Sequence, residues 1–384
     1  MTLQAVDREP TPADSGFART ARWRIKDIIE RRPELALKYE TARRVVRAFR
    51  KPAFYEVSQR CNLKCEGCYF FEGAGATTDR EQHAVGAWNE FFAAEAARHI
   101  TMAYFVGAEP ALEQERLHAA AQHLTCGNIG TNGTVRIDSA IPFRVSIAVW
   151  AGDDATDRKL RGAPAFRKAF KNYAGDPRAI IIYTLSPWNL DGARTIAEMC
   201  RDHGLPLTFN MFSPTATFLD KLSNWRGNDD KFFRLSRPDS TPCFTDEDLS
   251  RTRRVIAGVM EDFSETVLYS KSYNEWVTGA GPRYAIDPQT GVAEHCGSRL
   301  TGGMSFFHSD LQAGAPKCCT PDIDCSQCRI FSGGWSTKLQ PSGAELESEE
   351  AFADWLDTVA IIGKIFLTPT HKLERIGPMP ALSS

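Results

Sequence analysis

The 384-residue sequence predicts an α/β chain built on a parallel sheet. Two observations carry this. From Pro52 onward, six short apolar runs alternate with helical stretches or long crossovers, and such connections join parallel strands, not hairpins. The composition, 42% hydrophobic and 24% charged, is that of an ordinary globular protein and excludes wholesale disorder. The alternation fits an α/β barrel and a doubly wound sheet equally well. The length suits two or three units, or one barrel-sized domain with an extension. No apolar run of about 18 residues exists, so no transmembrane helix and no membrane partner are expected. Met1–Ser15 is polar and lacks the apolar core of a signal peptide, which points to the cytoplasm.

Residues 1–18 read as a loose tail. Residues 19–51 hold twelve Lys/Arg against four Asp/Glu, a net charge of +8, which leaves −10 for the remainder of a chain whose total is −2. Two helical halves meet near Pro33, with Val45, Val46 and Phe49 as an apolar face. The segment reads as a capping helix pair with a solvated Arg face. A docking surface for an acidic partner or nucleic acid is the alternative, but no aromatic interleaving accompanies the charge, so nucleic acid is not expected.

Ala53–Ser58 is the first predicted strand, followed by a cysteine loop and a helix over about 80–99. Met102–Gly107 is a strand, Leu112–Leu124 a helix, and Gly127–Thr131 and Arg144–Trp150 strands. Phe166–Tyr173 is helical, Ala179–Leu185 a strand, Leu190–Arg201 a helix and Leu207–Phe212 a strand. After Ser213 the alternation fades. Asn224–Pro242 is loop-like and Asp246–Tyr269 reads as one long helix. Gly279–Gly334 is rich in Gly and Cys, with short strands at best. Phe352, Trp355, Leu356 and Val359 lie at i, i+3, i+4 and i+7, one face of a docking helix.

Eleven cysteines in a chain without an export signal suggest reduced thiols and metal. Cys61, Cys65 and Cys68 form one group. Cys296, Cys318, Cys319, Cys325 and Cys328 form another, and Cys126, Cys200 and Cys243 are singletons. The first group sits in a single loop directly after the first strand, so three thiolates can converge on one iron–sulfur cluster and leave one iron open. A zinc knuckle wants a fourth ligand nearby. Buried inert thiols are the remaining reading. Cys126 and Cys200 fall in predicted element interiors, where inert thiols are the default.

Cys61-x3-Cys65-x2-Cys68 followed by Tyr69 resembles the radical SAM superfamily. Phe105-Val-Gly107-Ala108-Glu109-Pro110 resembles that family's Gly-Gly-Glu-Pro stretch, with Ala108 in place of the second glycine. Ile129-Gly-Thr131-Asn132-Gly133 resembles its Thr-Asn-Gly. Ser146, Asp157 and Arg161-Gly162 resemble a stretch of its peptide-modifying branch. The resemblance covers about residues 53–214 and implies a partial TIM-type (β/α)6 barrel. It also implies that Cys61, Cys65 and Cys68 hold a [4Fe–4S] cluster whose open iron takes S-adenosyl-L-methionine. Glu109 would accept from the methionine ammonium, Gly107 would admit backbone to it, and Tyr69 would line the adenine. Asn132 and Ser146 would reach the ribose or carboxylate, or serve as caps. The family's adenine motif in strand five is missing from Ile180–Leu185.

The second group resembles an abbreviated SPASM or twitch auxiliary-cluster domain, a small cysteine-rich C-terminal unit. Four of Cys296, Cys318, Cys319, Cys325 and Cys328 would bind a second [4Fe–4S] cluster. A structural zinc ribbon is the alternative. The implied layout is a basic helical extension (1–51), a core barrel (52–214), a connecting helical region (215–280), the cysteine-rich region (281–335) and a C-terminal helix and tail (336–384). The implied activity is hydrogen abstraction from a substrate C–H bond by a 5′-deoxyadenosyl radical, with an electron donor such as flavodoxin or ferredoxin. A peptide is the favoured substrate, although residues 1–51 are too short for a winged-helix leader-binding domain. A sugar, nucleoside or cofactor precursor is the alternative, and a non-catalytic metal-binding regulatory protein the rival from another class.

Overall fold

The computed structural model describes residues 12–72, 80–225, 230–300, 304–314, 318 and 322–368. Seven strands form one sheet: β1 (Pro52–Glu56), β2 (Met102–Val106), β3 (Gly127–Thr131), β4 (Arg144–Val149), β5 (Ala179–Leu185), β6 (Leu207–Met211) and β7 (Ser305–Phe307). Every neighbouring pair is parallel, and the order is β6-β5-β4-β3-β2-β1-β7. A doubly wound sheet reverses its strand order at a switch point. Here the first six strands follow chain order without reversal. Right-handed crossovers that always step the same way put their helices on one face, the winding of a barrel wall.

The strands are buried on both faces, as parallel strands are. Tyr55 packs edge-on against Phe91 and Phe92 of the Val85–Ala97 helix, at 5.7 and 5.2 Å. Side chains alternate along a strand, so Phe54 faces the other way and stacks on Tyr104 at 4.5 Å. Phe366, at the end of the Glu349–Phe366 helix, closes on Tyr104 from that second face at 6.0 Å. Arg144, at the start of β4, donates to the carbonyls of Lys364 (2.8 Å) and Ile365 (2.9 Å). These are carbonyls of the helix's last turn, which lack partners within the helix. Burial lowers the Arg144 guanidinium to about 10.

Several expectations need correction. β7 comes from the cysteine-rich region and pairs with β1 through Ala53↔Ser305 and Tyr55↔Phe307. One hydrophobic core runs from Ile28 to Leu367 and includes Tyr273, Phe306, Trp335 and Phe352, so the C-terminal region shares its core with the sheet instead of building a separate one. The first helix starts at Pro12, inside the expected tail; proline suits a first helical turn, where its missing N–H costs nothing. The helix expected to reach Tyr269 spans Asp246–Asp262. Beyond it, Leu207 donates to the Thr266 carbonyl (2.9 Å) and Leu268 donates to Leu207 (2.7 Å). β6 offers open backbone groups there, and β-branched Thr266 and Val267 favour strand pairing over helix. The Asp154–Arg161 helix was not anticipated, although Asp153 caps its start and Gly162 (φ +81°) its end.

The basic prefix forms the expected helix pair, Pro12–Arg31 and Leu35–Ala48. Val45 and Phe49 are buried in the core, and Val46 packs against it. Arg31 pairs with Glu349 at 2.6 Å and Lys38 with Asp357 at 2.7 Å. Part of the +8 surface is thus spent on the chain's own C-terminal helix, in surface pairs that contribute little to stability. Phe352, Trp355, Leu356 and Val359 are all buried, as their spacing predicts. Among the described residues no helix is long and apolar enough to cross a membrane.

Candidate functional site

The loops leaving the C-terminal ends of β1, β2 and β3, with the helix after β4, meet at one edge of the sheet. That is where barrel folds carry their sites. The β1 loop holds Cys61, Cys65 and Cys68. Its backbone is tied to the Asp154–Arg161 helix, Lys64 N–H donating to Arg161 (3.0 Å) and Glu66 N–H to Leu160 (2.8 Å). Gly67 donates to Phe232 (2.7 Å). At Gly67, φ is +60° and a Cβ would stand 3.1 Å from the Phe212 ring, so the position favours glycine.

The sulfurs sit among donors. Leu63 N–H lies 3.4 Å and Asn132 Nδ2 3.8 Å from Cys61 Sγ. The Arg161 guanidinium, 2% exposed, lies beside Cys65 and donates to the Ala148 carbonyl (2.7 Å). Burial alone lowers the Arg161 pKa, but the neighbouring Cys65, Asp157 and Cys61 more than reverse this, so it is raised. Burial, with help from the neighbouring Cys65, pushes the Cys61 thiol up to about 11. The Cys68 thiol is raised by burial first and then by Cys65.

Gly107 follows β2 at φ +119°, and a Cβ there would stand 2.5 Å from the Ser58 carbonyl oxygen. Ala108 N–H donates to that same oxygen at 2.8 Å. Glu109 follows, 1% exposed. Its carboxylate accepts from Ala111 N–H (3.0 Å), Thr131 Oγ1 (2.6 Å) and Asn132 N–H (2.7 Å). Burial raises its pKa, and these donors pull it back in part. A carboxylate has about four acceptor directions, and three are used here.

Asn132 spends its amide on Asn62 Oδ1 (2.8 Å), on Cys61, and on Thr134 through Oδ1 (2.6 Å to Oγ1). It holds the cysteine loop to the end of β3. Ser146 lies in β4 opposite Gly130 and Ile180, on the sheet face shared by Phe54. Among the described residues its buried Oγ has no partner, and the same is true of Asn128 Nδ2 and Thr208 Oγ1 on that face. Buried polar atoms are rarely left so. Tyr69 opens the short Tyr69–Glu72 helix at 36% exposure.

Cys296, Cys318, Cys325 and Cys328 line a single cavity with Tyr284 and Ile323. Cys319 lies outside the described residues. Tyr284 lies beside Cys296, and its hydroxyl is 3.0 Å from Thr337 Oγ1. Asp324 accepts from Ser326 N–H (3.0 Å) and Oγ (2.8 Å) and from Gln327 (3.0 Å), shaping the turn between Cys325 and Cys328. Asp322 accepts from Thr217. Both carboxylates are therefore engaged in loop structure. Cys243 packs instead beside Phe212, Phe218 and Phe233. Burial raises Cys126 to about 11 and Cys200 well above its ordinary value, as suits inert thiols.

The donor set suits an iron–sulfur group. Burial raises the Cys61 and Cys68 thiols, so both gain from a cation, and N–H groups aimed at sulfur stabilise thiolates. Among the described residues, no three His, Cys, Asp or Glu side chains close tightly enough to clasp a single ion. Each thiolate of a cubane binds a different iron, so a cluster loop spaces its sulfurs more widely than a mononuclear site.

Compared with protein-family models and with curated proteins, the chain matches none. Among solved structures it is similar to SuiB of Streptococcus suis bound to S-adenosylmethionine, with TM-score 0.46, 13% identity, and 67% of this chain covered. The match spans 58% of SuiB. It is similar to SuiB bound to the precursor peptide SuiA (0.46, 12%, covering 79% of this chain and 64% of that one). It is also similar to native anSMEcpe with bound AdoMet (0.46, 12%, covering 74% and 80%). Likenesses at this level carry no assignment of activity or substrate.

Sequence reasoning missed Glu66, whose buried carboxylate ties the cysteine loop to residues 234–236. Its only local signal is a charged residue between two cysteines.

Proposed function

We propose that the chain is a radical SAM enzyme. The observation that carries this is the cysteine loop at the C-terminal edge of the sheet, with Glu109 and Asn132 set beside it by the next two strands. Cys61, Cys65 and Cys68 would hold a [4Fe–4S] cluster, and S-adenosyl-L-methionine would lie against Gly107, Ala108, Glu109, Ser146 and Tyr69. When bound, this pair supplies an electron and a 5′-deoxyadenosyl group that takes hydrogen from a substrate C–H bond. Glu109 is held rigid by Thr131, Asn132 and Ala111 with one acceptor direction left, which suits an ammonium in a shielded site. Asn132 donates toward the Cys61 sulfur, and Arg161 sets a positive charge beside Cys65.

The chain reconstituted anaerobically with iron and sulfide, given S-adenosylmethionine and dithionite, is expected to form 5′-deoxyadenosine, and Cys65→Ala to form none. Lack of cluster absorbance after reconstitution would sink this reading and leave the non-catalytic alternative.

The cavity lined by Cys296, Cys318, Cys325 and Cys328 supports a second [4Fe–4S] cluster in a SPASM- or twitch-like region. Near eight iron per chain is the expected count on the cubane stoichiometry of two clusters, falling by about half in Cys328→Ser. About four iron and one zinc would instead assign a zinc site. The substrate favoured is a peptide, and deuterium transfer from labelled peptides into 5′-deoxyadenosine tests it against sugars and nucleosides. A flavodoxin or ferredoxin would supply the electron in the cytoplasm.

A further inference from the structure

The segment Lys231–Ser236 crosses the cysteine loop and is bonded to it from both directions. Glu66, between Cys65 and Cys68, is fully buried. Its carboxylate accepts from three successive backbone N–H groups, those of Arg234 (3.0 Å), Leu235 (3.1 Å) and Ser236 (2.9 Å), and from the Ser236 hydroxyl (2.7 Å). Consecutive amides turned toward one point form an anion-binding nest. The grip is returned: Arg234 donates to the carbonyls of Lys64 (2.6 Å) and Lys159 (2.9 Å), and Phe232 accepts from Gly67 N–H (2.7 Å). The Phe232 ring stacks on Phe71 at 4.4 Å just past Cys68.

We propose that Glu66 is a positioning residue, and that it clasps Lys231–Ser236 over the cysteine loop to fix and cover the turn between Cys65 and Cys68. This rests on the reading of Cys61, Cys65 and Cys68 as cluster ligands. Burying a carboxylate is costly unless donors replace water. Four donors do so here, and all come from a segment distant in the chain. An apolar residue would fill the same space without that cost. The charge also has a consequence that packing would not. A carboxylate next to cluster ligands disfavours an added electron, because net charge and hydrogen bonding around a cluster set its potential.

The test uses Glu66→Gln, which keeps the size and removes the charge, with Glu66→Asp as the conservative variant and far-UV circular dichroism to establish folding. The protein is reconstituted anaerobically with ferrous iron and sulfide. Glu66→Gln is expected to retain iron about 10-fold less well against EDTA, the loss typical of an outer-shell partner. Its cluster potential is expected to move positive, and Glu66→Asp to restore both in part. In the protein without iron, trypsin is expected to cut Glu66→Gln faster than wild type after Lys231, Arg234 or Arg237. A folded Glu66→Gln with wild-type iron retention and potential overturns the positioning role. Unchanged trypsin cleavage overturns the clasp. A wild-type chain that takes up no iron overturns the cluster reading itself, and the positioning role with it.

Discussion

Glu109→Ala is expected to weaken S-adenosylmethionine binding by about 10–100-fold, the value of one lost charge-assisted hydrogen bond. The same change strikes the fold. The carboxylate is the shared acceptor for Ala111 N–H, Thr131 Oγ1 and Asn132 N–H, and the residue is 1% exposed. Removing it leaves three buried donors unmet at about 1–3 kcal/mol each, so a loss of about 3 kcal/mol or more is expected. Urea unfolding measures the stability, and equilibrium dialysis of the reconstituted protein measures the binding. Normal binding in Glu109→Ala would remove Glu109 from the ligand site. Normal stability would mean that water or a rearranged loop takes over its bonds.

Gly107→Ala is the second large effect. At φ +119° a side chain is strained whatever the space, and here the new Cβ would stand 2.5 Å from the Ser58 carbonyl oxygen. The β1 loop would have to move away. That breaks the Ala108 N–H bond to the same oxygen (2.8 Å) and shifts the start of the cysteine loop. A loss of about 2–4 kcal/mol is expected from strain and a broken bond together. Iron uptake should fall in parallel, since Cys61 lies three residues beyond Ser58. Ala108 is a useful contrast: it already carries a methyl where the resembled motif has glycine, and its backbone makes the bond to Ser58 undisturbed. If Gly107→Ala keeps both wild-type stability and iron uptake, the tight passage past Ser58 has no role.

Much of the site was legible because its parts are short and contiguous. Cys61, Cys65 and Cys68 lie within eight residues. Gly107 to Glu109 and Thr131 to Gly133 each fall at the end of an apolar run, which the parallel sheet delivers to one edge. What was not legible depends on partners far along the chain. Glu66 meets Arg234 and Ser236 at separations of 168 and 170 residues. The partners in the N-terminal helix pair are 318 and 319 residues away, at Glu349 and Asp357. The Asp246–Asp262 helix stops early because the open edge of β6 draws Thr266–Leu268 into pairing, a contact that helical periodicity cannot register.

By itself the sequence determined a parallel α/β sheet of at least six strands, a three-cysteine loop after the first of them, and the helix faces that bury Val45 and Trp355. These follow from local periodicity and spacing, which act over a few residues. The tertiary structure decided the rest. It ordered the strands without reversal, which separates a barrel wall from a doubly wound sheet. It added β7 from the cysteine-rich region and merged that region into one core. It placed Arg161 against Cys65, and it turned Glu66 into a tie between the cysteine loop and a segment that reads as mere loop. Each of these required two distant stretches of chain to close on one another. That closure is set by which buried groups find partners in the folded molecule, and the order of residues along the chain does not reveal it.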